Sequence, residues 1–238
     1  MKQRPILFSA PMVRVLLDGS KTQTRRVAKF KPRTAGCNLS FSAMRVGHYM
    51  IGNPRAGFVL HSGAGDSTFP LICPYGQPGD RLWVRETWGV ISHAWDEACN
   101  LIDWVPDRPA TTISEMPFGQ GYYSGHVIYA ADGAFEWSGD DDGDGDPRSA
   151  WHPSIHMPRR ASRILLEIVS VRVERLNNCS DADARAEGTP GGHGVIPSYN
   201  YNATPSEHYS HLWESINGAG SWAANPWVWV IEFKRVTP

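Results

Sequence analysis

The residues best suited to chemistry lie in one short run near the start of the chain, Gly19-Ser20-Lys21-Thr22-Gln23-Thr24-Arg25-Arg26. The run brings an amine, a hydroxyl and a guanidinium (Lys21, Thr24 and Arg26) within one turn and one strand. Such groups could activate a nucleophile and stabilise developing negative charge, as acyl transfer requires. A solvated strand edge can have the same composition, so the run alone leaves both interpretations open.

Two predicted elements position this run. An apolar strand over residues 5–9 and a short amphipathic helix over residues 10–18 come before it. Gly19 supplies the left-handed residue that ends the helix. The chain therefore turns tightly at Gly19 and delivers Lys21 to the start of the next strand.

Alternation along that next strand separates its polar side chains onto two faces. Thr22, Thr24 and Arg26 share one face. Gln23 and Arg25 share the other.

Two carboxylates stand where a carboxylate needs a partner. The strand predicted over residues 81–88 places Glu86 on the same face as apolar Leu82 and Val84. Glu86 therefore meets a structural arginine or lines an internal pocket. Glu187 ends a short helix that Ser180 caps, where its charge opposes the helix dipole. Glu187 therefore needs a cationic partner or a role in the chemistry.

The segment over residues 151–160 holds Trp, His and Arg side chains that could meet a planar or anionic ligand. Its two histidines are four residues apart, but prolines interrupt the helix that would align them on zinc. Residues 140–146 resemble the first half of a calcium loop, but Trp151 stands where the loop needs glutamate. We therefore expect no metal and no other cofactor.

Composition bounds the class of protein. The chain has 238 residues, 41% of them hydrophobic, and a net charge of −1, so no whole-molecule field attracts nucleic acid. Its four cysteines include no C-x-x-C pair and read as free thiols in a reducing compartment. The N-terminus resembles no secretory leader, and no apolar run reaches membrane-spanning length. We expect a cytoplasmic protein with no membrane partner, and no feature indicates a protein partner.

No internal repeat or linker divides the sequence. We predict one domain over residues 1–238, with insertions at about 31–77 and 89–150. The first insertion is predicted to hold short strands at 49–51 and 57–61, and the second a strand at 125–130. Strands near both ends and in the middle, with few short helices, predict a mixed α/β, β-dominated fold built as a small barrel.

Three segments resemble one known family. The run from Gly19 to Arg26 after its helix is similar to the signature of ASCH domains, which have the PUA-like barrel fold. The stretch Pro78-Gly79-Asp80-Arg81-Leu82-Trp83-Val84 resembles that family's next strand, and Val230-Ile231-Glu232-Phe233 its closing strand. The segments occur in the family's order and cover about a third of the chain. Long forms of the family are common in bacteriophages and prophages, which would place this protein in the host cytoplasm.

One branch of the family implies an activity. The bacterial 4-N-acetylcytidine amidohydrolases carry Lys-Thr-x-Thr-x-Arg, as this chain does, and use a lysine, a threonine and a glutamate from a later short helix. Those catalytic roles would fall on Lys21, Thr24 and Glu187. The chain departs from the branch at Gln23 and Arg25, where the branch has apolar residues.

The resemblance does not decide which residue is the catalytic base. Lys21 could accept the proton if burial removes its charge, with Glu187 orienting it. Alternatively, Glu187 is the base and Lys21 stabilises the oxyanion. In either case Thr24 attacks the acyl carbon or positions the water that does.

The leading hypothesis is hydrolysis of an acyl-amide on an N4-acylated cytidine, so the expected partner is a modified nucleoside or nucleic acid. The predicted substrate-binding residues are Arg26, Arg85, Glu86, Trp88, His156 and Arg159. The alternatives are a non-catalytic RNA- or DNA-binding module, with Arg25, Arg26, Arg159 and Arg160 on phosphates, and a ribonuclease.

Overall fold

The structure is a computed structural model that describes residues 1–28, 45–48, 58–61, 68–135, 137 and 150–237. In chain order its strands are β1 (Gln3–Leu7), β2 (Gln23–Val27), β3 (Arg45–His48), β4 (Phe58–His61), β5 (Thr68–Leu71), β6 (Arg81–Arg85), β7 (Trp88–Ile91), β8 (His93–Trp95), β9 (Leu101–Asp103), β10 (Thr111–Phe118), β11 (Gly121–Tyr129), β12 (Leu165–Arg175) and β13 (Trp227–Val236). The α-helices are α1 (Ala10–Leu17), α2 (Asp181–Ala186) and α3 (Pro205–Asn217).

The predicted class, mixed α/β and dominated by strands, is confirmed. Thirteen strands and three short α-helices make up the regular structure of the described residues. None of the sheets in this part of the chain closes into a barrel. No helix within it is both long and apolar enough to cross a membrane.

The chain divides into two compact units. The first unit comprises residues 1–19, 81–166 and 235–238, and the second comprises residues 20–80 and 167–234. This division does not test the prediction of one domain over residues 1–238, which stays a prediction.

The first unit contains a parallel strand pair and an antiparallel sheet. β1 pairs with β6 in parallel, with Gln3 opposite Arg81 and Leu7 opposite Arg85. The antiparallel sheet has the order β10-β11-β7, and β8 and β9 form a separate ribbon. One side of the sheet packs around the fully buried Trp88 with other apolar side chains, which are Ile113, Met116, Val127, Tyr129, Met157 and Ala161.

The second unit contains two sheets and two helices. β13 lies between β12 and β2, and pairs antiparallel with β2 so that Ile231 is opposite Thr24. The other sheet has the order β3-β4-β5. Val228 and Val230 project from one face of β13 into a core with residues of both helices, which include Ala184, Tyr209 and Trp213.

Local signals explain the helices of the second unit. Ser180 caps α2 and Thr204 caps α3, each in a full capping box with the carboxylate three residues on. Pro205 occupies the first turn of α3, where its missing N–H costs nothing. The cap predicted at Ser180 is confirmed.

The predicted insertions contain more strand than the sequence indicated. The strand predicted at residues 125–130 overlaps the second half of β11, which ends at Tyr129, and β8, β9 and β10 lie in the same insertion. The strand predicted over residues 81–88 is broken at Glu86, since β6 ends at Arg85 and β7 begins at Trp88. In the earlier insertion β4 matches the strand predicted at 57–61, while the one predicted at 49–51 lies outside the described residues.

Candidate functional site

A short stretch after Gly19 is tied by its backbone to α2 and to β13. Gly19 has a φ of +85°, so it provides the predicted left-handed turn. The Thr22 N–H then donates to the Ala186 carbonyl at 2.9 Å, and the Phe233 N–H donates to the Thr22 carbonyl at 2.9 Å. These bonds hold Lys21 against the C-terminal end of α2.

Lys21 and Glu187 form a buried ion pair. Lys21 Nζ donates to Glu187 Oε2 at 2.9 Å and to the Glu187 carbonyl at 2.7 Å. The two side chains are 2% and 3% exposed. A cation beside the last carbonyls of a helix is favourable, so Lys21 offsets the unfavourable position of Glu187 in the helix dipole.

Arg25 holds the other oxygen of Glu187. Its Nη1 donates to Glu187 Oε1 at 3.3 Å, and its Nη2 contacts Glu174 Oε1 at 2.5 Å and Asp183 Oδ1 at 3.4 Å. The Arg25 side chain is fully buried. Glu187 therefore lies between two cations, one on each carboxylate oxygen.

An outer layer of polar side chains surrounds Arg25. Arg172 donates to Asp183 at 2.6 Å and to Gln23 at 3.0 Å, and it also pairs with Glu174 and Glu232. We call the whole group the Glu187 network, which comprises Lys21, Gln23, Arg25, Arg172, Glu174, Asp183, Glu187 and Glu232. Its eight members come from four separate parts of the chain.

Burial lowers the pKa of the Lys21 ammonium below its usual range. Glu187 opposes this shift, while the charges of Arg26 and Arg25 add to it. Lys21 is therefore closer to losing its proton at neutral pH than a surface lysine.

Two neutral groups lie beside Arg25. Burial raises the pKa of the Cys179 thiol to about 12. Burial also raises the pKa of the Tyr209 hydroxyl, whose ring centroid lies 5.9 Å from the Arg25 guanidinium carbon. Both groups stay protonated at neutral pH, so the negative charge facing Arg25 comes from the carboxylates.

The pKa of Asp183 makes the stabilising effect of the Glu187 network measurable. Burial opposes its ionisation, but hydrogen bonds from Ser180, the charge of Arg25 and a bond from Gln23 outweigh that effect and lower the pKa of Asp183 to about 2. A carboxylate whose pKa falls on folding stabilises the fold above its unfolded pKa, near about 3.9. That contribution is lost as the pH falls towards the folded pKa.

We therefore expect Asp183→Asn to lower the free energy of unfolding by about 2 kcal/mol at pH 7. The difference from the unaltered chain should shrink as the pH falls from about 5 to about 2. In that range the Asp183 carboxylate of the unaltered chain becomes protonated first in the unfolded state and then in the folded state, so its charge no longer stabilises the fold. Urea unfolding at a series of pH values measures this difference. Asp103→Asn, at a carboxylate 97% exposed, is the control. A difference that stays constant down to pH 3 would contradict the assignment.

Thr24 and Arg26 lie on the opposite face of β2 from Gln23 and Arg25, as the alternation predicts. Thr24 is 2% exposed. The guanidinium that meets the partner of Lys21 therefore belongs to Arg25. The predicted role of Arg26 in binding the substrate stays a prediction.

Glu86 meets a structural arginine, one of its two predicted environments. Arg163 donates to both Glu86 oxygens at 3.0 and 2.9 Å and to both Asp132 oxygens at 2.6 and 3.0 Å. The Arg163 guanidinium carbon also lies 3.9 Å from the centroid of the Tyr129 ring. Burial raises the pKa of Glu86, although the bonds from Arg163 oppose the shift.

The other predicted binding residues of the first unit differ in accessibility. Trp88 is fully buried and contacts the rings of Phe118 and His152, so its ring is not offered to a ligand. Arg85 and Arg159 are half-buried and His156 is exposed. These residues belong to the first unit and Lys21 to the second, and their role in binding the substrate stays a prediction.

No cluster of three or more metal-ligating side chains occurs among the described residues. His152 packs against aromatic rings, and the acidic run over residues 140–146 lies outside the described part. Cys73, Cys99 and Cys179 are free thiols.

No protein-family model matches this chain, and neither a curated protein nor a solved structure matches it.

Proposed function

We propose that this protein is an amidohydrolase that removes the acyl group from an N4-acylated cytidine. The observation that carries the proposal is the buried pair of Lys21 and Glu187, two residues 166 positions apart in the chain. Both were candidates from their local sequence. The finer fold assignment, a PUA-like barrel of the ASCH type, is part of the same proposal and rests on the motif resemblance.

In this mechanism Lys21 acts as the base in its neutral form. A neutral amine has two N–H groups and one lone pair. Glu187 offers two acceptors, its Oε2 and its carbonyl oxygen, for those two N–H groups. These two contacts orient the amine, and the lowered pKa of Lys21 favours the neutral form that can accept a proton.

Arg25 and the rest of the Glu187 network keep the carboxylate in place. The carboxylate is bonded on both oxygens, which fixes its orientation. It orients the Lys21 amine and supports the ammonium that forms when the amine takes a proton.

The reaction balances with water as the only co-reactant. A nucleophile oxygen attacks the acyl carbon while Lys21 takes its proton. The C–N bond then breaks and that proton passes to the amine nitrogen of cytidine. If Thr24 is the nucleophile, an acyl-enzyme forms and a water molecule releases the acid. If water attacks directly, the acid forms without an acyl-enzyme, and Thr24 only positions the attacking water molecule.

The test is liquid chromatography of 4-N-acetylcytidine incubated with the purified protein. We expect release of cytidine and acetate in equal amounts, with a kcat/KM that rises with pH through the pKa of Lys21. Thr24→Val, which keeps the shape but not the hydroxyl, should abolish release if Thr24 is the nucleophile. Absence of cytidine release at micromolar protein would overturn the proposal for this substrate. A rate that falls with rising pH would instead make Glu187 the base.

The alternative of a nucleic-acid-binding module loses one of its predicted contacts. Arg25 is fully buried against three carboxylates, so it is not available to a phosphate. No observation favours a ribonuclease over the hydrolase.

A further inference from the structure

The outward face of the β1 and β6 pair carries a line of arginines. Register partners in a parallel pair project to the same side, so Arg81 lies beside Gln3 and Arg85 beside Leu7. Leu82 and Val84 on the opposite face are fully buried. Arg81 and Arg85 are therefore on the solvent side of these strands.

A third arginine joins this face from a neighbouring segment. Arg159 Nε donates to Gln3 Oε1 at 3.1 Å, which places Arg159 at the Arg81 end of the pair. Arg85 Nη1 donates to the Ile155 carbonyl at 3.1 Å at the other end. We call Arg81, Arg85 and Arg159 the arginine face.

Neutral groups, not carboxylates, hold the side chains of Arg85 and Arg159. The described acceptors are the Gln3 amide oxygen and the Ile155 carbonyl, and the Arg85 guanidinium carbon lies 4.7 Å from the centroid of the Trp83 ring. In the described part of the chain none of the three forms an ion pair, and the nearby Glu86 is bonded to Arg163 instead. The charges of Arg85 and Arg159 are thus held in place, and no described carboxylate neutralises any of the three arginines.

Two of these arginines also have unsatisfied donors. The Nε–H groups of Arg81 and Arg85 are covered from solvent and have no hydrogen-bond acceptor in the structure. Burying a donor without an acceptor costs about 1–3 kcal/mol. The described part of the chain supplies no acceptor for either donor, and most buried donors in native structures have one.

The spacing of the face fits an extended polyanion. Four residues along β6 separate Arg81 from Arg85, which is about 13 Å at about 3.3 Å per residue. Arginine is suited to phosphate because its planar fork donates two parallel hydrogen bonds. A single phosphate monoester could not reach both ends of the face, whereas a sugar–phosphate backbone carries a charge at every nucleotide.

We propose that the arginine face binds the sugar–phosphate backbone of a nucleic-acid strand. The binding is independent of base sequence, because guanidinium contacts to phosphate carry no sequence information. This inference does not depend on the hydrolase, since it rests on residues of the first unit alone.

The experiment is fluorescence anisotropy of a labelled 12-nucleotide RNA, and of DNA of the same sequence, with the full chain. We expect Arg81→Gln/Arg85→Gln/Arg159→Gln to bind at least tenfold more weakly than the unaltered chain at low salt. The slope of log K against log salt should fall by about 2, because each lost phosphate contact contributes about 0.7 on a single strand. RNA and DNA should be affected alike.

The matched control is Arg14→Gln/Arg108→Gln/Arg235→Gln, which removes the same charge from the first unit away from this face and should bind as the unaltered chain does. Equal binding by the two triple variants, or no binding by the unaltered chain, would overturn the proposal. So would binding to vesicles of anionic phospholipid in place of the oligonucleotides. If the triple variant fails to fold, Arg159→Gln alone should lower the salt slope by about 0.7. Turnover of the free nucleoside is a separate readout, so failure of either proposal leaves the other standing.

Discussion

The Lys21→Met variant is expected to release cytidine from 4-N-acetylcytidine about 10²- to 10⁴-fold more slowly than the unaltered chain. Methionine has a similar length but cannot accept a proton. The nucleophile would then keep its proton, and the amine nitrogen would leave without one. Initial rates by liquid chromatography, at substrate concentrations above and below KM, measure the loss in kcat.

Two further variants separate proton transfer from charge. Lys21→Arg keeps a cation beside Glu187, but a guanidinium stays protonated at every accessible pH. It should therefore be as slow as Lys21→Met if Lys21 is the base. Lys234→Met, at a lysine whose side chain is 61% exposed, should retain the full rate. An active Lys21→Arg variant would assign Lys21 to charge stabilisation.

Loss of folding does not explain the expected loss of rate. In Lys21→Met the Glu187 carboxylate still receives a hydrogen bond from Arg25 at 3.3 Å, so it is not left alone in the core. We expect far-ultraviolet circular dichroism and the cooperative urea transition to be retained.

The Arg163→Met variant is expected to lower the free energy of unfolding by about 3–5 kcal/mol. The change leaves two carboxylates without their cation, and one of them, Glu86, is 1% exposed. It also removes the guanidinium stacked on Tyr129. Urea unfolding at pH 7 measures the loss.

Replacing the whole ion cluster should restore most of that stability. A buried ion pair gains little over apolar residues of similar size, whereas an isolated buried charge is costly. The triple variant Glu86→Leu/Asp132→Asn/Arg163→Met should therefore be more stable than Arg163→Met alone. Arg160→Met, at an exposed neighbour, should change stability by less than about 0.5 kcal/mol. A triple variant less stable than the single one would contradict this account.

Local chemistry was readable from the sequence. The cap at Ser180 and the position of Glu187 in the helix dipole indicated that this glutamate needs a cation or a role in the chemistry. The apolar neighbours of Glu86 indicated either an arginine partner or an internal pocket. Each glutamate has a cationic partner in the structure, Lys21 for Glu187 and Arg163 for Glu86.

The contacts between side chains far apart in the sequence could not be predicted from the sequence. Both faces of β2 are polar, so alternation could not decide whether Arg25 or Arg26 meets Glu187. The decision depends on which face the α2 and α3 helices cover, and that is set by the apolar side of β13 far along the chain. The partners of Arg25 on β12, above all Glu174, carried no local signal at all.

The β8 and β9 strands of the second insertion were missed for a different reason. Every residue of β9 is exposed, and β8 has a single half-buried residue between two exposed ones. Neither strand has the alternating apolar pattern on which strand prediction depends. The two strands form because they pair with each other, and a pattern within one strand cannot predict that pairing.

The buried thiol beside Arg25 has a practical consequence. With its pKa at about 12, Cys179 is almost entirely un-ionised at neutral pH, and alkylating reagents attack the thiolate. Modification of Cys179 must therefore wait for its surroundings to open, so a pulse of iodoacetamide followed by peptide mass spectrometry reports local opening of the second unit. Cys99 is exposed, so its rate of alkylation in the same sample gives the reference rate for an accessible thiol.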